Sequence, residues 1–245
     1  MKAFVTLFLT SMIVTPILAQ REVRTYYDTE KEVLKEIYYV QKTNPDNLEG
    51  KYLKYHPNEV IAMEGAFAEG YKDGLFKEFY ENGKLQRTIP YKNGLKEGPV
   101  KVYNDQGQII QTAVFVNNEL SDSMHTYFND GTLRSRGKFD NGKPEGLLVE
   151  YYPTGITKRE IIYKEGKQTG TTKTYYADGT LETDGNYKNG ILNGYYKTYF
   201  QNGQIETESE MSEGEKTGTF KNYDKKGNIL LVGQYKNGQL HGSNI

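Results

Sequence analysis

A glycine returns every 24 residues along most of this chain, and that period restricts the fold more than any other property of the sequence. Gly50, Gly74, Gly98, Gly146, Gly170, Gly194, Gly218 and Gly242 fall on one lattice, with Asp122 filling the single gap. Calling this position column zero, column five is aromatic throughout: Tyr55, Phe79, Tyr103, Tyr127, Tyr151, Tyr175, Tyr199 and Tyr223. Column nine is Gly except at Glu59, column eleven is mostly Leu or Ile, column seventeen is nearly all aromatic, and column twenty is Gly except at Asn118. A short fixed period of this kind means one supersecondary unit repeated in tandem, each copy stabilised by its neighbours.

The unit reads as a β-hairpin whose turns are spelled in Gly and Asn/Asp. Glu81-Asn82-Gly83, Asn129-Asp130-Gly131 and Gln201-Asn202-Gly203 mark the first turn, and Lys92-Asn93-Gly94 and Lys188-Asn189-Gly190 the second. Pro57 and Pro153 suit the second position of a type I turn, and the following Gly suits a left-handed bulge residue, so a three-residue loop is expected. That loop pairs column five with column eleven, and simple alternation then places column seventeen on the same face. The small residues of column fifteen leave room beneath neighbouring rings. The fold class expected is all-β: an elongated single antiparallel sheet of tandem hairpins, a twisted rod or gutter. At ~4.8 Å per strand each unit advances about 10 Å.

Three segments follow. Residues 1–19 read as a secretory signal peptide, with Lys2 as the charged start, an apolar run from Ala3 to Val14, and cleavage expected between Ala19 and Gln20. Residues 20–49 are a capping segment in which Tyr27 and Tyr38 repeat the spacing of Tyr80 and Tyr91; a degenerate hairpin and a short helix over 29–40 both fit. Residues 50–245 are the array, about eight units.

The run Gly185-Asn186-Tyr187-Lys188-Asn189-Gly190-Ile191-Leu192-Asn193-Gly194, echoed as Gly233-Gln234-Tyr235-Lys236-Asn237-Gly238-Gln239-Leu240-His241-Gly242, resembles the MORN repeat. It is similar in particular to the bacterial MORN-like variant, some members of which are labelled antitoxin. The resemblance covers residues 48–245 and implies hairpin arrays that act in assembly and binding, with no catalytic residues to carry over. One departure is that the usual unit places a second Gly two residues after column zero, where this chain has Tyr52, Phe76, Val100, Met124, Leu148, Thr172, Tyr196 and Phe220.

Chemistry has few candidates. The absence of Cys excludes disulfides, thiolate zinc sites and cysteine nucleophiles. The three histidines, His56, His125 and His241, belong to three separate units, too far apart on a hairpin array to share a metal. No nucleophile elbow or phosphate loop is present, so the chain is expected to be neither an enzyme nor a cofactor protein. A net charge of −1 disfavours capture of nucleic acid, and no stretch of the mature chain is long and apolar enough to span a bilayer. What remains is an aromatic series on the face opposite column five: Tyr80, Phe128, Tyr152, Tyr176 and Phe200 in column six, with Phe76 and Tyr196 in column two. The function expected is an exported scaffold, periplasmic, cell-surface or extracellular, that binds protein or another envelope component. An antitoxin-type inhibitor and a glycan binder using the Tyr/Phe face are the alternatives, and a homodimer is left open.

Overall fold

The structure is a computed structural model that describes residues 20–236 and 238–241. The leader therefore lies outside the described residues, as does Ala19 of the cleavage site, while Gln20 opens the first strand. Among the described residues there is no helix. Twenty-one strands form one antiparallel sheet in which each hairpin pairs with the next in chain order. The result is the open, elongated all-β repeat sheet expected.

Both turns follow from their glycines. At the first, the amide of column six donates to the carbonyl of column ten and the amide of column nine donates back to column six, as in Tyr80 N to Lys84 O (2.9 Å) and Gly83 N to Tyr80 O (2.8 Å). The loop thus has three residues, and its last residue is left-handed in every unit, φ +78° at Gly83 and +64° at Glu59. The second turn has two residues, both left-handed, such as Asn93 (φ 49°) and Gly94 (φ 80°), the signature of a type I′ turn. Column zero is a third left-handed position, and Asp122 adopts it too, at φ 67°. Lacking a Cβ, Gly reaches this region without the steric cost an L side chain carries.

Column five pairs with column eleven as expected, for example Phe79 with Leu85 and Tyr175 with Leu181. One position further on, the register slips: Glu78 faces Arg87, so Gln86 is an extra residue in its strand. The same bulge recurs in each unit of the array. A single inserted residue reverses the alternation beyond it. Column seventeen therefore leaves the face of column five and joins columns two and fifteen, which corrects the face assignment made from alternation alone.

The core lies on that second face. Of the ten non-glycine residues buried among those described, eight belong to columns two and fifteen: Phe76, Ile89, Val100, Ala113, Ile161, Thr172, Ser209 and Phe220. Column-two and column-seventeen rings meet edge to face, as in Phe67–Phe76 (5.7 Å), Phe76–Tyr91 (5.2 Å) and Phe220–Tyr235 (4.9 Å). Column fifteen of one unit lies against column two of the next, and their sizes are reciprocal: Gly65 with Phe76, Ala113 with Met124, Gly185 with Tyr196, but Ile161 with Thr172. A Cβ on Gly65 would sit 2.6 Å from the Phe76 ring, so the glycine is the recess that the ring fills. Column five, by contrast, is half-buried in every unit.

The N-terminal segment is a hairpin of Gln20–Tyr26 and Leu34–Gln41, which pairs with Asn44–Tyr55; the helical alternative is not realised. Its loop, Tyr27 N to Val33 O, is two residues longer than in the other units. This displaces the alignment by two. Val40, facing Leu48, takes the column-seventeen position and is buried at 1% exposure, while Tyr38 takes the place of column fifteen.

Candidate binding surface

The aromatic series singled out in the sequence divides into core and ladder. Phe76 is fully buried (0%) between Phe67 and Tyr91, so it offers no surface, and the expectation that it forms part of an exposed stripe is corrected. Tyr196 is half-buried over Gly185, whose Cβ would stand 2.8 Å from its Cδ2. In column six the tyrosine hydroxyls point along the sheet and donate to the column-five carbonyl of the next unit. Tyr80 bonds to Tyr103 O, Tyr152 to Tyr175 O, and Tyr176 to Tyr199 O, each at 2.7 Å. His56 makes the same contact through Nε2, 2.8 Å from Phe79 O.

Phe128 and Phe200 have no hydroxyl, and a cation lies over each ring instead: Arg134 at 5.8 Å and Lys225 at 5.9 Å. Asn104 and Asp224 break the series because their side chains accept local turn amides, Gln108 N and Asn228 N, both at 2.9 Å. All five column-six rings are half-buried. Phe128 and Tyr152 flank a cleft of about 430 Å³ with Arg134, Lys158 and Pro153.

The other face carries side chains that sequence reasoning passed over. Leu75 (51% exposed), Leu147 (49%), Ile162 (39%) and Tyr195 (39%) occupy columns one and sixteen, with Leu147 directly opposite Ile162. Leu147 lines two adjoining hollows. One, of about 410 Å³, is bounded by His125, Arg136, Lys138 and the buried Val149; the other, of about 260 Å³, by Glu160, Ile162, Lys173, Asp184 and Tyr195. Tyr195 is held by its hydroxyl, which donates to Asp184 Oδ1 at 3.1 Å and lies 3.3 Å from Thr171 Oγ1. The arrangement is an apolar centre with a rim of both charges, set on paired backbone. The signal in the sequence was the alternation itself, and it becomes readable once the bulge is placed.

Column-five hydroxyls on this face bind column-fourteen carboxylates of the preceding unit: Tyr175 to Glu160 Oε2 (3.0 Å) and Tyr223 to Glu208 Oε2 (2.9 Å). Burial, reinforced by the Glu160 bond, pushes the Tyr175 hydroxyl up to about 12. The repeated carboxylates before column zero cap turns, since Glu97 and Glu145 accept from the amides of Asn117 (3.0 Å) and Glu165 (2.7 Å). Of the three histidines, His125 borders a hollow, His56 serves the ladder and His241 ends the last described strand.

The sequence pattern of the MORN repeat variant matches five stretches, at 72–93, 144–165, 168–189, 192–212 and 216–237. No curated protein matches the chain. Every matched stretch begins in column twenty-two, in phase with the lattice. Three units are without a match; in two of them, at 48–69 and 120–141, Glu59 and Asp122 replace left-handed glycines while the same backbone is kept, and the third, at 96–117, retains Gly98 and Gly107. Periodic sequence, paired turn geometry and five in-phase matches agree, and the chain belongs to the MORN-repeat proteins of the variant type.

Proposed function

We propose that this protein is an exported, non-catalytic scaffold that captures a protein partner on the sheet face centred on Leu147, Ile162 and Tyr195. MORN repeats are commonly binding repeats, and the families that carry them are generally non-catalytic. The observation that carries the reading is the exposure of those three side chains on the face opposite the one that holds most of the core. A solvent-facing apolar cluster costs free energy unless a partner covers it, and aliphatic side chains within a rim of mixed charge match a protein surface.

The glycan alternative called for open aromatic platforms. It is weakened because the column-six tyrosine hydroxyls are spent on the next unit's carbonyls. Export rests on the leader, and N-terminal sequencing of the mature protein is expected to return Gln20; retention of Met1 in a cytoplasmic pool would contradict it.

The binding face is tested by placing a photo-crosslinking residue at Leu147 and, separately, at Thr219, which occupies the same column three units away. In the native cell the first position is expected to yield a discrete protein adduct and the second little or none. Equal labelling from both, or none from either, would remove this face as the site.

A further inference from the structure

The column-six rings form a bounded row of four consecutive units, Phe128, Tyr152, Tyr176 and Phe200, stopped by Asn104 on one side and Asp224 on the other. Column twelve runs beside it on the same face. Arg134 and Lys158 lie over the Phe128 and Tyr152 rings, at 5.8 and 5.7 Å, while Glu182 and Glu206 accept from Thr174 (3.0 Å) and Thr198 (3.1 Å) of column four. The rings thus read Phe-Tyr-Tyr-Phe and the charges beside them plus, plus, minus, minus. Ring order is symmetric about the midpoint between Tyr152 and Tyr176, and charge order is antisymmetric about it.

The pattern continues one unit outward on each side, with Ile110 and Leu230 next in column twelve, and Asp105 and Lys225 at matching turn positions. Among the described residues no ion-pair partner lies within 4.0 Å of Arg134, Lys158, Glu182 or Glu206.

A two-fold axis turns such a row into its own complement. We propose that two copies of this chain associate antiparallel along it, with Lys158 facing Glu182 and Arg134 facing Glu206 of the other copy, and each pair occurring twice. An isologous contact requires a self-complementary patch, and this row is one. Even spacing of about 10 Å per unit lets all four pairs and the rings register together, in a strip about 40 Å long. To reach the roughly 800 Å² per partner of a stable interface, a strip of that length has to be in contact over a width of about 20 Å. This surface lies on the opposite side of the sheet from the Leu147 face, so the two contacts are independent.

Sedimentation velocity of the purified full chain tests this. The wild type is expected to be a dimer whose dissociation rises as salt is raised from about 0.01 M to about 0.5 M, because exposed charge pairs are screened. Two charge-reversed chains follow, Arg134→Glu with Lys158→Glu, and Glu182→Lys with Glu206→Lys, each checked for folding by circular dichroism. Each alone is expected to self-associate at least about tenfold more weakly, and an equimolar mixture to recover a dimer. A wild type that is monomeric at all salt concentrations would overturn the proposal. So would a dimer indifferent to salt and to either reversal, as edge-strand pairing would give, or folded variants that stay monomeric when mixed.

Discussion

At the scale of single residues, the left-handed positions carry the clearest information. Column nine demands positive φ in every unit, and Glu59 supplies it without being Gly. An L residue held there costs about 1–2 kcal/mol, partly offset by the greater unfolded-state freedom of Gly. Glu59→Gly is therefore expected to stabilise the protein by a few tenths to about 1 kcal/mol in denaturant unfolding. Column six gives a second test. Tyr176→Phe removes only the hydroxyl that reaches Tyr199 O, and is expected to cost about 0.5–1.5 kcal/mol, with faster amide exchange confined to the two turns it joins.

Turn acids act at this scale too. Hydrogen bonds from Thr132, Thr180 and Asn228 hold Asp130, Asp178 and Asp224 below the ordinary value of 3.8, and the Lys197 contact holds Glu208 below 4.5. Carboxyls depressed on folding contribute stability above their unfolded pKa and lose it as pH falls through the folded one. The melting temperature is accordingly expected to hold from neutral pH to about 4.5 and to fall steadily below about 4.

At the scale of the hairpin, the packing rule is reciprocity between column fifteen and the following column two. Gly185 makes room for Tyr196, while Ile161 fills the space that Thr172 leaves. Gly185→Ile alone is expected to cost more than about 2 kcal/mol by overpacking against the Tyr196 ring. Gly185→Ile combined with Tyr196→Thr copies the Ile161 and Thr172 pairing and is expected to recover much of that loss in a double-mutant cycle. Simple additivity would contradict the rule.

This scale also shows where reading the sequence stopped. The turn glycines, the three-residue loop and the pairing of columns five and eleven were legible because each is written locally. The core face was not, because the bulge beside column five carries no residue signature of its own: Ala62, Gln86, Ile110, Arg134 and Glu182 all serve as the extra residue. One unmarked residue reverses the parity, and plain alternation without it puts column seventeen on the wrong face and Phe76 at the surface. The N-terminal hairpin was misaligned by two for a similar reason, a longer loop with no glycine to fix its length.

At the scale of the molecule, a single open sheet has two faces, and here one carries most of the packed core while the other leaves apolar side chains exposed. The packed face takes columns two, fifteen and seventeen; the open face presents Leu147, Ile162 and Tyr195 within a charged rim. Only unit-to-unit contacts build the packed face, so damage to it is expected to stay local in origin yet lower the stability of the whole array.

Two substitutions, each measured for thermal stability and for capture of the same crosslinked partner, test this division of labour most directly. Phe76→Ala is expected to cost about 3–5 kcal/mol and to leave capture at the distant Leu147 face intact below its melting point. Leu147→Lys, at an exposed position, is expected to change stability by less than about 1 kcal/mol and to abolish capture. A Leu147→Lys variant that melts far below the wild type, or that captures the partner undiminished, would show that the free face is not the binding face.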